Sequence, residues 1–471
     1  MQKTQVTQTV DRARAVFESG GTRSLSARRR NVAAIRRMLE ENRSDFERVL
    51  HADLRKSRRE AGLTEIDVAI GEANHTLRHL RRWTSPRRTT VSPTLWPASA
   101  RLVPEPLGVV LVISPWNYPI NLTLVPLVGI LASGNTAVIK PSPESAHTSR
   151  LLAELVPTYL PDGAVQVLPG SVEVAQQVLE ERFDHIIFTG SGRIGRVVME
   201  AAAKHLTPVT LELGGKSPAW FDDDRNLETA ARRLVWAKFT NAGQTCVSPD
   251  YVLTTPERVP ALVAALRRAV LELWGTDPAT GGEYVRIINE GHFDRLAGYL
   301  DEGRIEFGGR HDRDDLYIEP TVITFPDLER AVVGPDAPFE LLRDEIFGPI
   351  LPIVTVSTKE EAARVINAWD KPLALYVFSD SRETRRYFED NTSSGAVVSG
   401  AAIIHVGDGS LPFGGVGASG IGAYHGRESI RTFSHLKPVL NKPSFPDTLR
   451  LLNPGTAPHL LGVIGKVQRR G

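Results

Sequence analysis

The chain reads as an α/β protein built on parallel sheets, with a cofactor domain of the Rossmann type, a second α/β domain and a connecting arm. Three observations predict this. First, short continuous apolar runs alternate with amphipathic stretches, the pattern of parallel strands covered on both faces by helices. Second, a length of 471 residues exceeds what one core supports and calls for two or three domains. Third, hydrophobic residues at 41% and charged residues at 24% match an ordinary globular protein.

Residues up to about 82 read as helical, with Val32, Ile35, Leu39, Phe46 and Leu50 on one face and charges between them. The Pro- and Ser-dotted stretch Thr84 to Pro106 reads as extended or connecting chain. Candidate strands follow at Leu107–Ile113, Thr136–Lys140, Ala164–Leu168 and His185–Phe188. A second α/β region starts near Leu213. It contains a helix over 224–240, a strand at Ile350–Val356, a helix opening with the capping-box tetrad Thr358-Lys359-Glu360-Glu361, and a buried strand at Leu373–Phe378. Internal repeats and low-complexity tracts are absent from the sequence.

The 56 basic and 55 acidic side chains nearly cancel, so nothing points to a nucleic-acid partner or a strongly acidic one. Arginine runs such as Arg28-Arg29-Arg30 read as solvated helix faces. The N-terminal residues lack the apolar core of a signal peptide, and no apolar run approaches the roughly 20 residues of a membrane span. The segment His459–Lys466 is apolar but short, and packs on the protein body or touches a membrane surface, the former being the expected reading. The expected location is the cytoplasm.

Cys246 is the single cysteine, so it forms no intramolecular disulfide and is either a small buried hydrophobe or a reagent. It closes the small and polar run Asn241-Ala242-Gly243-Gln244-Thr245. That run follows a stretch where Leu227, Ala230, Leu234 and Ala237 recur at helical spacing. A thiol at the end of such a turn can face a cleft, where its thiolate is a nucleophile. Phe188–Gly195 follows a strand, opens a helix and satisfies G-x-G-x-x-G, which suits backbone approach to a pyrophosphate. A Gly-rich turn can equally serve close packing. The standard dinucleotide reading would make Glu212 the ribose-binding acid.

Several segments together change that assignment. Ser114-Pro115-Trp116-Asn117-Tyr118-Pro119, Ile139-Lys140-Pro141-Ser142, Phe188-Thr189-Gly190-Ser191, Leu211–Pro218, Gly243–Cys246 and Glu345-Ile346-Phe347-Gly348-Pro349 occur in this order. With the closing run Leu411–Gly420, Tyr424-His425-Gly426 and Thr432–His435, the chain resembles the aldehyde dehydrogenases, in particular the class 3 branch of fatty and aromatic aldehyde dehydrogenases. The resemblance spans about residues 10 to 440.

The resemblance implies an NAD- or NADP-dependent oxidation of an apolar aliphatic or aromatic aldehyde to its acid. Cys246 would attack the aldehyde, and the Asn117 side chain and Cys246 backbone N–H would receive the oxyanion. Glu212 would activate water against the thioester. For the cofactor it implies Lys140 at the adenosine ribose, with Gly190, Ser191 and Gly195 at the pyrophosphate turn. Glu345 would hold the nicotinamide ribose, with Phe347 and Trp116 nearby. Tyr118, Trp236 and Thr245 would border the substrate passage, though Trp236 on its amphipathic helix equally suits a core role. No metal site is implied.

The resemblance also sets the expected organisation. Residues 1–82 and 105–212 would form the NAD(P)-binding domain and 213–395 the catalytic domain. Segments 83–104 and 396–440 would bridge subunits of a homodimer, and 441–471 would be a tail. Two departures stand out. Pro143 occupies the place where NAD-preferring relatives often put an acid against the 2′-hydroxyl, with Glu144 one later, which makes NADP tolerance plausible. Ser399-Gly400-Ala401-Ala402 replaces the Asn-Asp pair usual in close relatives. An acylating enzyme that passes the thioester to coenzyme A is a rival, opposed by the presence of Glu212. A non-catalytic dinucleotide-binding protein is another, opposed by Asn117, Glu212, Cys246 and Glu345 occurring together.

Overall fold

The computed structural model describes residues 5–92, 95–326 and 332–452; the apolar segment at 459–466 and most of the expected tail lie outside them. Five α-helices and one π-helical turn occupy most of 5–84, and the face expected there is buried: Val32, Ile35, Leu39, Phe46 and Leu50 are all sealed from solvent. One turn of this region, Gly62–Ile66, is a π-helix, which a 3.6-residue period does not reveal.

The first sheet has six strands, in the order Gly420–Ile421, Val209–Glu212, His185–Thr189, Val109–Ile113, Thr136–Lys140 and Val165–Val167. Its five long-chain neighbours run parallel except for the antiparallel edge at Gly420–Ile421. The expected strands are present: Thr136–Lys140 as expected, Leu107–Ile113 and Ala164–Leu168 narrowed to Val109–Ile113 and Val165–Val167, and His185–Phe188 extended to Thr189. Val109 to Val112 are buried on both faces of the sheet, each contributing about 1.5–3 kcal/mol of hydrophobic stabilisation.

The second sheet has seven strands, with Tyr251–Thr254 at its centre between Ile350–Thr355 and Pro218–Phe221. Ala396–Ser399 pairs in parallel with Ala374–Phe378 at its edge. Thus the segment 396–440 is divided among three sheets: 396–399 here, 420–421 in the first sheet, and Ser434–Asn441 in a third. That third sheet joins Arg87–Thr89, Ser99–Pro106 and Ser434–Asn441, all antiparallel. The expected segment 83–104 thus supplies Arg87–Thr89 and most of Ser99–Pro106 to this sheet, and 396–440 supplies nearly all of Ser434–Asn441. Thr358 caps its helix by accepting from the Glu361 N–H at 3.2 Å. The reciprocal carboxylate bond reaches Ser357 at 2.7 Å rather than Thr358.

Candidate active site

The carboxyl ends of four parallel strands supply one side of the site. Val109–Ile113 runs into Ser114–Tyr118, Thr136–Lys140 ends on Lys140, His185–Thr189 leads to Gly190 and Ser191, and Val209–Glu212 ends on Glu212. Ligands of open parallel sheets gather at this end, where loops from neighbouring strands diverge. The other side comes from loops that precede strands of the second sheet. Leu227–Phe239 passes through Thr240–Gly243 into Cys246, ahead of Tyr251–Thr254. Glu345 and Phe347 lie just ahead of Ile350–Thr355.

Hydrogen bonds lock the two sides together. The Asn117 side-chain amide donates to the Gln244 carbonyl at 3.0 Å, which leaves its second N–H uncommitted. The Asn241 side-chain amide donates to the carbonyls of Asn117 and Gln244, each at 3.0 Å. Asn241 and Ala242 both take positive φ, 55° and 49°, a conformation that costs energy for non-glycine residues and concentrates at functional sites. The Tyr118 and Thr245 hydroxyls share a hydrogen bond of 2.7 Å. Gln244 is fixed in turn by donating to Asn241 and Arg286 carbonyls and accepting from the Ile288 N–H. The sequence marks Asn241 and Gln244 only as turn residues; buried side-chain amides that bond to backbone groups leave no trace in composition.

Burial dominates the electrostatics. Glu212 is sealed from solvent and neither carboxylate oxygen has a hydrogen-bond partner. Desolvation therefore holds its carboxyl well above the usual range. The Cys246 thiol is pushed up to about 12, first by burial and then by the nearby Glu345 and Glu212 carboxylates. Glu345 is raised to about 8 by burial, with Asp250 adding to the effect. Lys216 pairs with Asp250 and also donates to the carbonyls of Leu341 and Asp344, at 2.9 and 2.6 Å. The second Asp250 oxygen accepts the Ile346 N–H at 3.0 Å, so this pair braces the segment carrying Glu345.

Cys246 lies in the wall of a cavity of about 250 Å³ that Tyr118, Leu122, Trp236, Thr245 and Phe413 also line. The three expected substrate residues are thus brought to the thiol. Trp236 is half-buried and also packs on the core, so both readings of it describe the same side chain. Tyr424 and His425 complete the wall; the sequence had supplied them only as part of a motif. A larger depression, about 710 Å³ beside Arg82, Arg87 and Arg427, contains none of the expected site residues and shares only His425 with the Cys246 cavity.

The residues expected to hold a dinucleotide fit one. Ser191 is exposed at the start of helix Gly192–Ala203, where it accepts from the Ile194 N–H. The first-turn amides of that helix suit a pyrophosphate. Side chains at Gly190 and Gly195 would collide with Phe188 and Leu213, so packing also demands these glycines. Lys140 is buried, donates to the Pro141 and Gly170 carbonyls, and is lowered to about 8 by that burial. Trp116 and Phe347 meet edge-on with ring centroids 5.5 Å apart, beside the half-buried Glu345. Glu144 is drawn away by a 2.9 Å bond from the Asn289 side chain. Among the described residues, no cluster of three or more His, Cys, Asp and Glu could hold a metal ion.

The aldehyde dehydrogenase family profile matches residues 1–439. Aldehyde dehydrogenase family 3 member A2 of Rattus norvegicus is 45% identical over 92% of this chain and 88% of its own length. The dimeric NADP-preferring aldehyde dehydrogenase of the same organism is 43% identical, covering 93% of this chain and 94% of that protein. Family 3 member B1 of Homo sapiens is 43% identical over 97% of this chain and 96% of that protein. Among solved structures, the substrate-bound state of Staphylococcus aureus AldH superposes with a TM-score of 0.92 at 34% identity. It covers 98% of this chain and 99% of that one.

Proposed function

Because the chain belongs to the aldehyde dehydrogenase family and is an NAD(P)-dependent enzyme of that kind, we propose that it oxidises apolar aliphatic or aromatic aldehydes to acids through a covalent intermediate on Cys246. The observation that carries this reading is a lone thiol in the wall of a largely apolar cavity, with the unpartnered buried Glu212 carboxylate in electrostatic reach and the Asn117 amide bonded to the same loop. A binding module needs no such set.

The thiol gives up its proton as Sγ attacks the aldehyde carbon, and Glu212, bare of other partners, is the acceptor at hand. The new carbon–sulfur bond leaves negative charge on the former carbonyl oxygen. The free N–H of Asn117 and the backbone N–H of Cys246 are the donors preorganised for that charge. Bound oxidised nicotinamide supplies the hydride acceptor. Lys140, Ser191 and Glu345 would hold the cofactor, and Trp116 and Phe347 would border it. On the thioester that remains, Glu212 takes a proton from water as the water's oxygen attacks the acyl carbon, and Cys246 leaves as thiolate.

Pro143 and the tethering of Glu144 by Asn289 remove a carboxylate that would repel a 2′-phosphate, which supports use of NADP beside NAD. The antiparallel sheet of Arg87–Thr89, Ser99–Pro106 and Ser434–Asn441 supports a bridging role in a homodimer. Residues 5–84 and the six-stranded sheet support a cofactor domain, and the seven-stranded sheet a catalytic one. A cytoplasmic setting agrees with a single reduced cysteine. No helix of the described residues is long and apolar enough to cross a membrane.

The test is reduced-cofactor formation across aldehydes from short aliphatic to benzaldehyde type, with NAD and NADP in parallel. Turnover that favours the larger apolar aldehydes and vanishes in Cys246→Ala supports the proposal. Undiminished turnover in Cys246→Ala, or preference for small polar aldehydes, refutes it.

A further inference from the structure

Beneath the Asn117 loop lies a buried ionic group that the proposed chemistry does not use. Lys56 and Glu65 are both completely sealed from solvent and pair at 2.6 Å. Lys56 Nζ also donates to the Asn117 carbonyl at 2.8 Å and lies 4.0 Å over the Tyr118 ring. The second Glu65 oxygen accepts the backbone N–H groups of Ile120 and Asn121, each at 3.0 Å. The pair therefore holds a carbonyl at one end of the 117–121 turn and two amides at the other.

A third member, Glu60, extends the hold to the cysteine loop by accepting the Asn241 N–H at 2.9 Å. Asn241 is the residue whose side chain links the Asn117 and Gln244 carbonyls. The π-turn Gly62–Ile66 contains Glu65 and starts two residues after Glu60. Its wider turn brings residues five apart, here Glu60 and Glu65, toward one face, and such turns recur at functional sites.

Stability alone is a poor reason for this arrangement. Burying an ion pair carries a desolvation cost, and well-packed apolar replacements are often as stable or more so. What the pair supplies, and an apolar core would not, is a fixed direction for the Asn117 peptide. Oxyanion donors act by being in place before charge develops, and a misplacement of about 1 Å can cost about 100-fold in rate.

We propose that Lys56 and Glu65 are positioning residues for the oxyanion donors, setting the Asn117 amide against the Gln244–Cys246 loop so that the first chemical step meets a finished site. This rests on the reading of Asn117 as an oxyanion donor.

The experiment is a double-mutant cycle read by the single-turnover burst of reduced cofactor. Lys56→Met is made in the wild-type chain and in the Asn117→Ala chain. Loss of about 10- to 100-fold in burst rate is expected in the first background and less than about 2-fold in the second, with cofactor and aldehyde affinities unchanged. Equal losses in both backgrounds overturn the proposal, because a general structural defect does not depend on Asn117. A wild-type burst in Asn117→Ala alone refutes the donor reading underneath it, a separate failure. Should Lys56→Met not fold, Glu65→Gln, which keeps the side-chain volume and the lysine, enters the same cycle with the same outcomes.

Discussion

Gly214 and Glu345 share one packing position: a side chain on Gly214 would overlap the Glu345 carboxylate. Glu345 also receives a backbone hydrogen bond from Gly215, so the Gly214-Gly215 turn is the seat of this acid. Gly214→Ala should displace the carboxylate without touching the thiol. Expected is a fall in cofactor affinity of about tenfold, or about 1.4 kcal/mol, with the chemical step at saturating cofactor far less affected. Cofactor titration by fluorescence quenching checks it. Unchanged affinity would mean that Glu345 does not hold the cofactor.

The resting thiol should be unreactive at neutral pH. Its pKa is pushed up to about 12, against about 8.5 for a free thiol, so little thiolate forms until strongly alkaline pH. Iodoacetamide inactivation of the cofactor-free enzyme should keep accelerating beyond pH 10. Glu345, at about 8, is ionised where the thiol titrates, and its charge opposes the thiolate. Glu345→Gln should therefore shift the inactivation profile to lower pH. A plateau near pH 8 to 9 in the wild type would contradict this account.

Glu212→Gln should separate the two halves of the reaction. The amide keeps the shape of the side chain but cannot take a proton from water. Steady-state turnover should fall by about 10²- to 10⁴-fold, the range for a lost general base, while a stoichiometric thioester accumulates and is seen by intact mass. If instead no acyl-enzyme forms, the main duty of Glu212 lies in deprotonating Cys246. Full turnover would remove it from the chemistry.

The readability of this site from sequence divides along a physical line. Cys246, Asn117, Glu212 and Glu345 sit in short ordered strings that carry the family resemblance, and that resemblance, rather than local pattern alone, marks them. Lys56, Glu60 and Glu65 lie in an arginine-rich stretch of helices and short connections where charges ordinarily face water. Only tertiary contact shows otherwise: Lys56 and Glu65 are buried against the 117–121 turn, and the half-buried Glu60 accepts from Asn241. The π-turn escapes for a related reason, since it adds a residue without disturbing the apolar pattern visibly. The four strands expected in the first sheet are legible because burial on both faces makes them continuously apolar; Val209–Glu212 and Gly420–Ile421 are not among them. The resemblance places Ala396–Ser399 in the bridging segment 396–440, whereas it forms the edge strand of the second sheet. Its pairing with Ala374–Phe378 depends on register, which a single segment does not encode.

Glu72 should give the protein a pH-dependent stability that one substitution removes. It is buried on helix Asp67–Thr84, where it accepts the Gly426 N–H at 2.8 Å and the Thr76 hydroxyl at 3.3 Å. Its surroundings include His75, Asp408 and His425. Burial raises its pKa to about 7 from the ordinary 4.5, so the folded state prefers the protonated acid. The sign follows: this stability is fully present below about pH 4.5 and is lost as pH rises through about 7. The shift corresponds to roughly 3 kcal/mol. Glu72→Gln keeps a carbonyl to accept from Gly426 but cannot ionise. Near pH 5 the variant and the wild type should unfold at similar urea concentrations; near pH 8.5 the variant should be more stable by roughly 2–3 kcal/mol. Glu60 and Glu345, raised to about 7 and about 8, impose the same slope on both proteins, so the difference between the curves isolates Glu72. Parallel curves across this range would show that Glu72 ionises freely in the folded state, and that its contact with Gly426 does not depend on the proton.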